Sequence, residues 1–145
     1  NNRMACFNTE SGHPNCVEPG KRPLHTLNTY MIYRDGKPWV VAGSPGGDVQ
    51  VQTNLQVIQK LIDYGWTPQE AVEAPRWHHD QATSISVESR FPPETIAELE
   101  RRGHSVTQTG LLGGSGNAQV IIINPENGAY IVGSDPRGDG FAAAF

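Results

Sequence analysis

PWVVAGSPGGDVQVQTNLQVIQKLIDYG, residues 38–65, is the stretch on which the fold turns. It opens on a short apolar run, Pro38 to Ala42, with the length and β-branched content of a strand buried on both faces. GSPGGD, Gly43 to Asp48, interrupts the run. Beyond it Val51, Leu55, Ile58 and Ile62 recur at intervals of four, three and four, which predicts a helix with these four as its buried stripe. Gly65 suits the C-terminal cap of that helix. A strand therefore feeds a glycine turn, and the turn feeds a helix. Adjacent glycines after a proline serve either a tight turn or the close approach of a ligand to bare backbone.

Working outward, TYMIYR (29–34) reads as a strand, joined to the next by Asp35-Gly36, a strong hairpin signal. Residues 1–27 read as irregular. Thr67-Pro68-Gln69-Glu70 opens a helix, with Thr67 as N-cap and Glu70 completing a capping box. Pro75 ends it near Ala74. ISVES (85–89) is a strand. PPETIAELERRG (92–103) is an amphipathic helix with Ile96 and Leu99 inward and Gly103 as its stop. His104 to Val106 is a brief strand. AQVIII (118–123) and AYIVG (129–133) are strands on either side of the NPENG turn. Hairpins with segregated helices predict an α+β fold, antiparallel sheet covered by helices.

With 145 residues and 37% hydrophobic content the chain suits one domain or a large part of one. The net charge of -4 and the short basic pairs Lys21-Arg22 and Arg101-Arg102 give no nucleic-acid surface. No apolar run approaches the roughly eighteen residues of a transmembrane helix, so no membrane partner is expected. NNRMACFNTE has no basic-then-apolar leader pattern, which leaves the compartment open. Cys6 and Cys16 allow a local disulfide but are too few for a cysteine-only zinc site. His78 and His79 are adjacent and diverge on either secondary structure. No metal and no cofactor is expected. Arg76 in APRWHHD and Arg137 in SDPRGDG read as guanidinium forks tying backbone carbonyls together. Trp77 reads as a packing residue, and the LLGGSG loop (111–116) as a turn or a substrate contact.

Backbone N–H groups at GSPGGD, just before a helix, form a concavity for an anion. Bound phosphate is disfavoured, because the Lys-Ser/Thr ending of a phosphate loop is absent and Asp48 repels it. An oxyanion hole for a tetrahedral intermediate is the other chemical use. A plain turn needs neither.

GKRPLHTLNTYM, VVAGSPGGD, EAVEAPRWHHD and GSDPRGDG follow one another in the order found in the C-terminal part of the small subunit of gamma-glutamyltranspeptidases. The resemblance covers essentially the whole chain. It implies part of a four-layer αββα N-terminal nucleophile hydrolase sandwich, matured by self-cleavage into two subunits. It implies attack by an N-terminal Thr on a gamma-glutamyl amide such as glutathione, through an acyl-enzyme. Gly46 and Gly47 then supply oxyanion-hole donors. The family's KRPLSS segment, whose hydroxyls meet the substrate carboxylate, is KRPLHT here, so His25 and Thr26 take those places. The catalytic Thr of the family lies a few dozen residues before its Asn-Asn pair, which this chain carries as Asn1-Asn2. The upstream segment and the large subunit of the same precursor are the expected partners, and the chain by itself is expected to be inactive.

Two departures fall in the substrate pocket. Cys6 replaces the aspartate that holds the substrate's α-ammonium, and Arg3 replaces a polar contact. A neutral thiol gives no charge-assisted bond to an ammonium, and Arg3 adds positive charge there. The expectation is an amidohydrolase or acyltransferase whose preferred acid lacks the α-ammonium, of oxamate, glutaryl or similar carboxy-amide type. The alternative is an inactive binding module on the same fold. The glycine pair argues against that alternative, since a binding module has no use for an oxyanion hole.

Overall fold

The computed structural model describes residues 3–114 and 116–143; Asn1, Asn2, Ser115 and the last two residues lie outside the described residues. β1 (Thr29–Arg34) and β2 (Lys37–Gly43) form the expected hairpin. Asp35 (φ 51°) and Gly36 (φ 74°) both adopt the positive φ that a two-residue turn of this twist requires. β6 (Gln119–Ile123) pairs with β2, and β7 (Tyr130–Ser134) with β6, giving an antiparallel sheet in the order β1-β2-β6-β7. A second sheet has the order β3-β4-β5, from Trp77–Gln81, Ser84–Glu88 and Ser105–Thr109. Its β4–β5 pair is parallel because α3 (Pro93–Arg101) crosses over between the two strands.

α1 (Gln50–Ile62) and α2 (Pro68–Glu73) cover one face of the first sheet. Their core is Val57, Leu61, Ala71 and Val72 against Val40, Ala42, Ala118 and Val120. α2 starts on the capping box, with Thr67 Oγ1 accepting from the Glu70 N–H and the Glu70 carboxylate accepting from the Thr67 N–H. It lies so close to β7 that a Cβ on Gly133 would sit 2.4 Å from the Pro68 carbonyl. Ile85, Val87 and Ile96 make a smaller core under α3.

Two expectations about the opening stretch are corrected. Val51, Leu55 and Ile62 of α1 are 67%, 52% and 46% exposed, so the apolar stripe faces outward. The buried face is largely polar: Gln50, Thr53, Asn54 and Gln56 beside Val57 and Leu61. Two of its glutamines explain why. Gln52 and Gln56, one turn apart, each donate to and accept from one residue of β3, His79 and Trp77 respectively. Their amides thus pair the free edge of β3, which would otherwise be an open template. β2 is buried on one face only. Val41 shares the other face with a cross-strand row, Met31-Val41-Ile121-Val132. In that row Met31, Ile121 and Val132 are 47%, 38% and 37% exposed. The sheet is therefore apolar on both sides, the composition of a middle layer.

β3 had no signal in the sequence. WHHDQ lacks apolar alternation, and its link to β4 turns on Ala82 at φ 51° where a glycine or asparagine would mark a turn. Trp77 is 39% exposed, so it is not the packing residue expected of it. Among the described residues no helix is long and apolar enough to cross a membrane.

Candidate active site

The GSPGGD turn leaves β2 at Gly43 and becomes a 3-10 turn, Gly47–Val49, that runs into α1. Gly46 has φ 147° and Gly47 φ 58°, conformations that side chains rarely adopt. Both are exposed, and neither amide donates to a described residue. Among the described residues no side chain caps this helix start. The result is a pair of open N–H donors at a helix N-terminus, where the dipole favours negative charge.

These donors border a cleft of about 540 Å³ whose other walls include Arg3, Thr26, Leu27, Gln119 and Ile121. Arg3 Nε donates to Thr26 Oγ1 at 2.6 Å, so two of the expected substrate-binding residues meet each other there. Asn54 of α1 donates to the Asn28 carbonyl and ties the 26–28 segment to the helix. Arg3 is the one charged side chain among the described residues lining this cleft, and no carboxylate lines it. A ligand carboxylate is favoured over a ligand ammonium on that count.

His25 lies outside the cleft, exposed in an adjoining depression beside Gly47 and Asp48. Cys6 lines neither. It ends a short 3-10 turn, Met4–Cys6, donates its N–H to the Arg3 carbonyl and accepts from Asn15 Nδ2 through its own carbonyl. Cys6 and Cys16 are both free thiols, so the local disulfide does not form. Among the described residues no group of three or more His, Cys, Asp or Glu is placed to hold a metal ion.

Behind the turn sits a buried ion cluster that the sequence showed only in part. Arg76 and Arg137 act as the forks expected of them, on the Val72 and Ala74 carbonyls at the C-terminal end of α2. Of their acidic partners, Asp135 lies in the same SDPRGDG stretch as Arg137 but was not singled out there, and Glu88 carries no motif. Arg76 reaches Asp135 at 2.7 Å, while Arg137 bridges Glu88 at 2.6 Å and Asp135 at 2.9 Å. Arg90 also holds Glu88 and donates to the Glu73 carbonyl. Burial pushes both carboxyls up. Together the hydrogen bonds from Arg137, Arg90 and the Gly114 amide and the Arg137 charge outweigh it at Glu88, and the Arg76 charge and hydrogen bond with the Ala118 and Arg137 amides together outweigh it at Asp135, so both ionise below the ordinary range. The cluster also fixes the second glycine loop: Gly114 N–H donates to Glu88, Arg76 donates to the Gly116 carbonyl, and Ala118 N–H donates to Asp135. That loop therefore packs on the cluster and on the GSPGGD turn.

An antiparallel sheet under two helices, apolar on its far side and carrying open backbone donors at a strand-to-helix turn, is part of the sandwich of the N-terminal nucleophile hydrolases. The chain matches the gamma-glutamyltranspeptidase family over residues 1–145 and belongs to that family. It is 38% identical, over 150 residues, to the "Glutathione hydrolase-like YwrD proenzyme" of Bacillus subtilis, covering 97% of this chain and 28% of that protein. It is 35% identical over 150 residues to the "Oxamate amidohydrolase proenzyme" of Klebsiella pneumoniae, covering 99% and 28%. Among solved structures, a cephalosporin acylase from Bacillus halodurans superposes with a TM-score of 0.88 at 35% identity, covering 99% of this chain and 27% of that one. The chain thus spans just over a quarter of the length of each.

Proposed function

We propose that this chain is part of an acyl-transferring amidohydrolase of the gamma-glutamyltranspeptidase type. Gly46 and Gly47 donate to the oxyanion that forms as the amide carbonyl is attacked. The nucleophilic Thr comes from a segment upstream in the same precursor. That segment and the large subunit also cover the outward stripe of α1 and the outer face of the first sheet. The observation that carries the reading is the pair of unused glycine amides on the cleft that Arg3 and Thr26 line.

The preferred acyl group carries a carboxylate and no α-ammonium. Arg3 and Thr26 take the carboxylate, His25 flanks the entrance, and Cys6 offers no counter-charge to an amine. The relatives named a glutathione hydrolase-like protein, an oxamate amidohydrolase and a cephalosporin acylase support a pocket that varies around common chemistry. The test compares kcat/KM of the complete matured protein on glutaryl and gamma-glutamyl p-nitroanilides. The glutaryl compound is expected to be turned over faster; a strong gamma-glutamyl preference overturns this part of the reading. The alternative, an inactive binding module, is supported by Ala5 and Cys6 standing where the family has Asp-Asp. It predicts a natural protein that carries no subunit beginning at a Thr, which intact mass reads directly.

A further inference from the structure

We infer that Ser44 is a positioning residue that aims the Gly46 N–H into the cleft. The inference rests on the acyl-transfer reading above and adds a residue to it. Ser44 is 4% exposed, and its hydroxyl has two partners. It donates to the carbonyl of Pro45 at 2.7 Å and accepts from the Asn117 N–H at 3.1 Å. The Pro45 carbonyl and the Gly46 N–H belong to one planar trans peptide, in which they point in opposite directions. Holding the carbonyl inward on Ser44 therefore turns the N–H outward. Gly46 is flexible at both of its torsions, so without that bond nothing local fixes the plane.

The second half of the device is the far anchor. The hydroxyl is fixed from behind by the 116–118 segment, which is itself held at both ends. Arg76 donates to the Gly116 carbonyl, and Ala118 N–H donates to Asp135, the acid that pairs with Arg76. There is no slack in the joint. A Cβ on Gly116 would lie 2.9 Å from Ser44 Oγ and 2.5 Å from Thr53 Oγ1, and one on Gly46 would lie 3.2 Å from the Gly116 Cα. A buried ion pair is thereby connected, through one hydroxyl, to a donor that the reaction uses. Ser44 itself touches no reacting atom; it acts through the peptide that follows it.

A donor that is preorganised for the transition state lowers the barrier without tightening substrate binding, so its loss falls on kcat. In the complete matured protein S44A is expected to lower kcat at least about tenfold, with KM within about twofold, since loss of an entire oxyanion donor costs roughly 10²–10³. S44T, which keeps the hydroxyl, is expected to stay within about threefold of the wild-type kcat. A kcat for S44A within about twofold of wild type overturns the inference. Where S44A does not mature, S44C, which removes the oxygen at nearly the same volume, decides: a kcat at least about tenfold lower at unchanged KM supports the role, and a wild-type kcat overturns it. Failure of the underlying reading looks different, because the wild-type protein then turns over neither anilide, and that result removes both.

Discussion

The cleft and the ion cluster behind it handle polar groups in opposite ways. In the cluster, Glu88 and Asp135 are 0% and 1% exposed, and their oxygens accept from three guanidinium groups and four backbone amides. At the turn, two glycine amides are exposed with no partner among the described residues. A saturated network sets one geometry, because leaving any member unpaired in a dry interior is costly. An unsaturated one is reactive, because its donors are free for charge that develops later. Ser44 and the Gly116 segment lie between the two, and in the proposed reading they let the rigid region position the open donors.

The largest expected effect tests the saturated side. Glu88→Gln leaves Arg90 without its carboxylate partner and Arg137 with Asp135 alone, and is expected to cost about 3–5 kcal/mol in urea unfolding of the mature protein. The pH dependence has a definite sign. Both carboxyls ionise lower in the fold than when unfolded, so the unfolded state binds more protons as acid is added. Their stabilisation is complete above the unfolded value of about 4 and is lost as pH falls through the lower folded values. The urea midpoint should drop below about pH 4 in wild type and drop less steeply in Glu88→Gln.

On the reactive side, Gly46→Ala puts a side chain at φ 147° against the Gly116 backbone and disturbs the donor. A fall of roughly 10²–10³ in kcat is expected, with little change in KM. A fall confined to KM would make the turn a binding element only. Gly133→Ala tests the scaffold: its Cβ would meet the Pro68 backbone at 2.4 Å, which cannot swing aside as a side chain does. A cost of about 3 kcal/mol is expected by thermal unfolding. Leu55→Ala asks whether the outward stripe of α1 is covered in the complete protein. If it is, the loss is about 2 kcal/mol; if it stays in water, the change is within about 0.5 kcal/mol.

The same contrast explains what the sequence disclosed. The hairpin at Asp35-Gly36, the capping box at Thr67 and the glycine turn were legible because each is a local backbone requirement met by specific residue types. Gly46 and Gly47 stand in the GSPGG motif, and Arg3 and Thr26 at positions that the resemblance makes substrate contacts; these four line one cleft, while His25 and Cys6, singled out in the same way, do not. The buried face of α1 was not legible. Periodicity marks apolar residues, and on this helix Gln52 and Gln56 pair a strand edge while Val51 and Leu55 face out. Glu88 and Asp135 were hidden for a related reason: each has one arginine two positions away, but the pairings that bury them, Arg137 with Glu88 and Arg76 with Asp135, span 49 and 59 positions. β3 is held by distant partners too, Gln52 and Gln56, which is why WHHDQ gave no strand signal.

The most direct test of the oxyanion-hole reading is intact mass spectrometry of the mature protein, quenched while turning over a slow glutaryl amide. One added glutaryl group is expected on the subunit that contains residues 1–145, on a chain that begins at a Thr upstream of Asn1. That adduct should build up more slowly in Gly46→Ala. A protein that carries no adduct, has no subunit starting at a Thr and turns over neither anilide would contradict the acyl-transfer reading and leave the glycine pair as a turn.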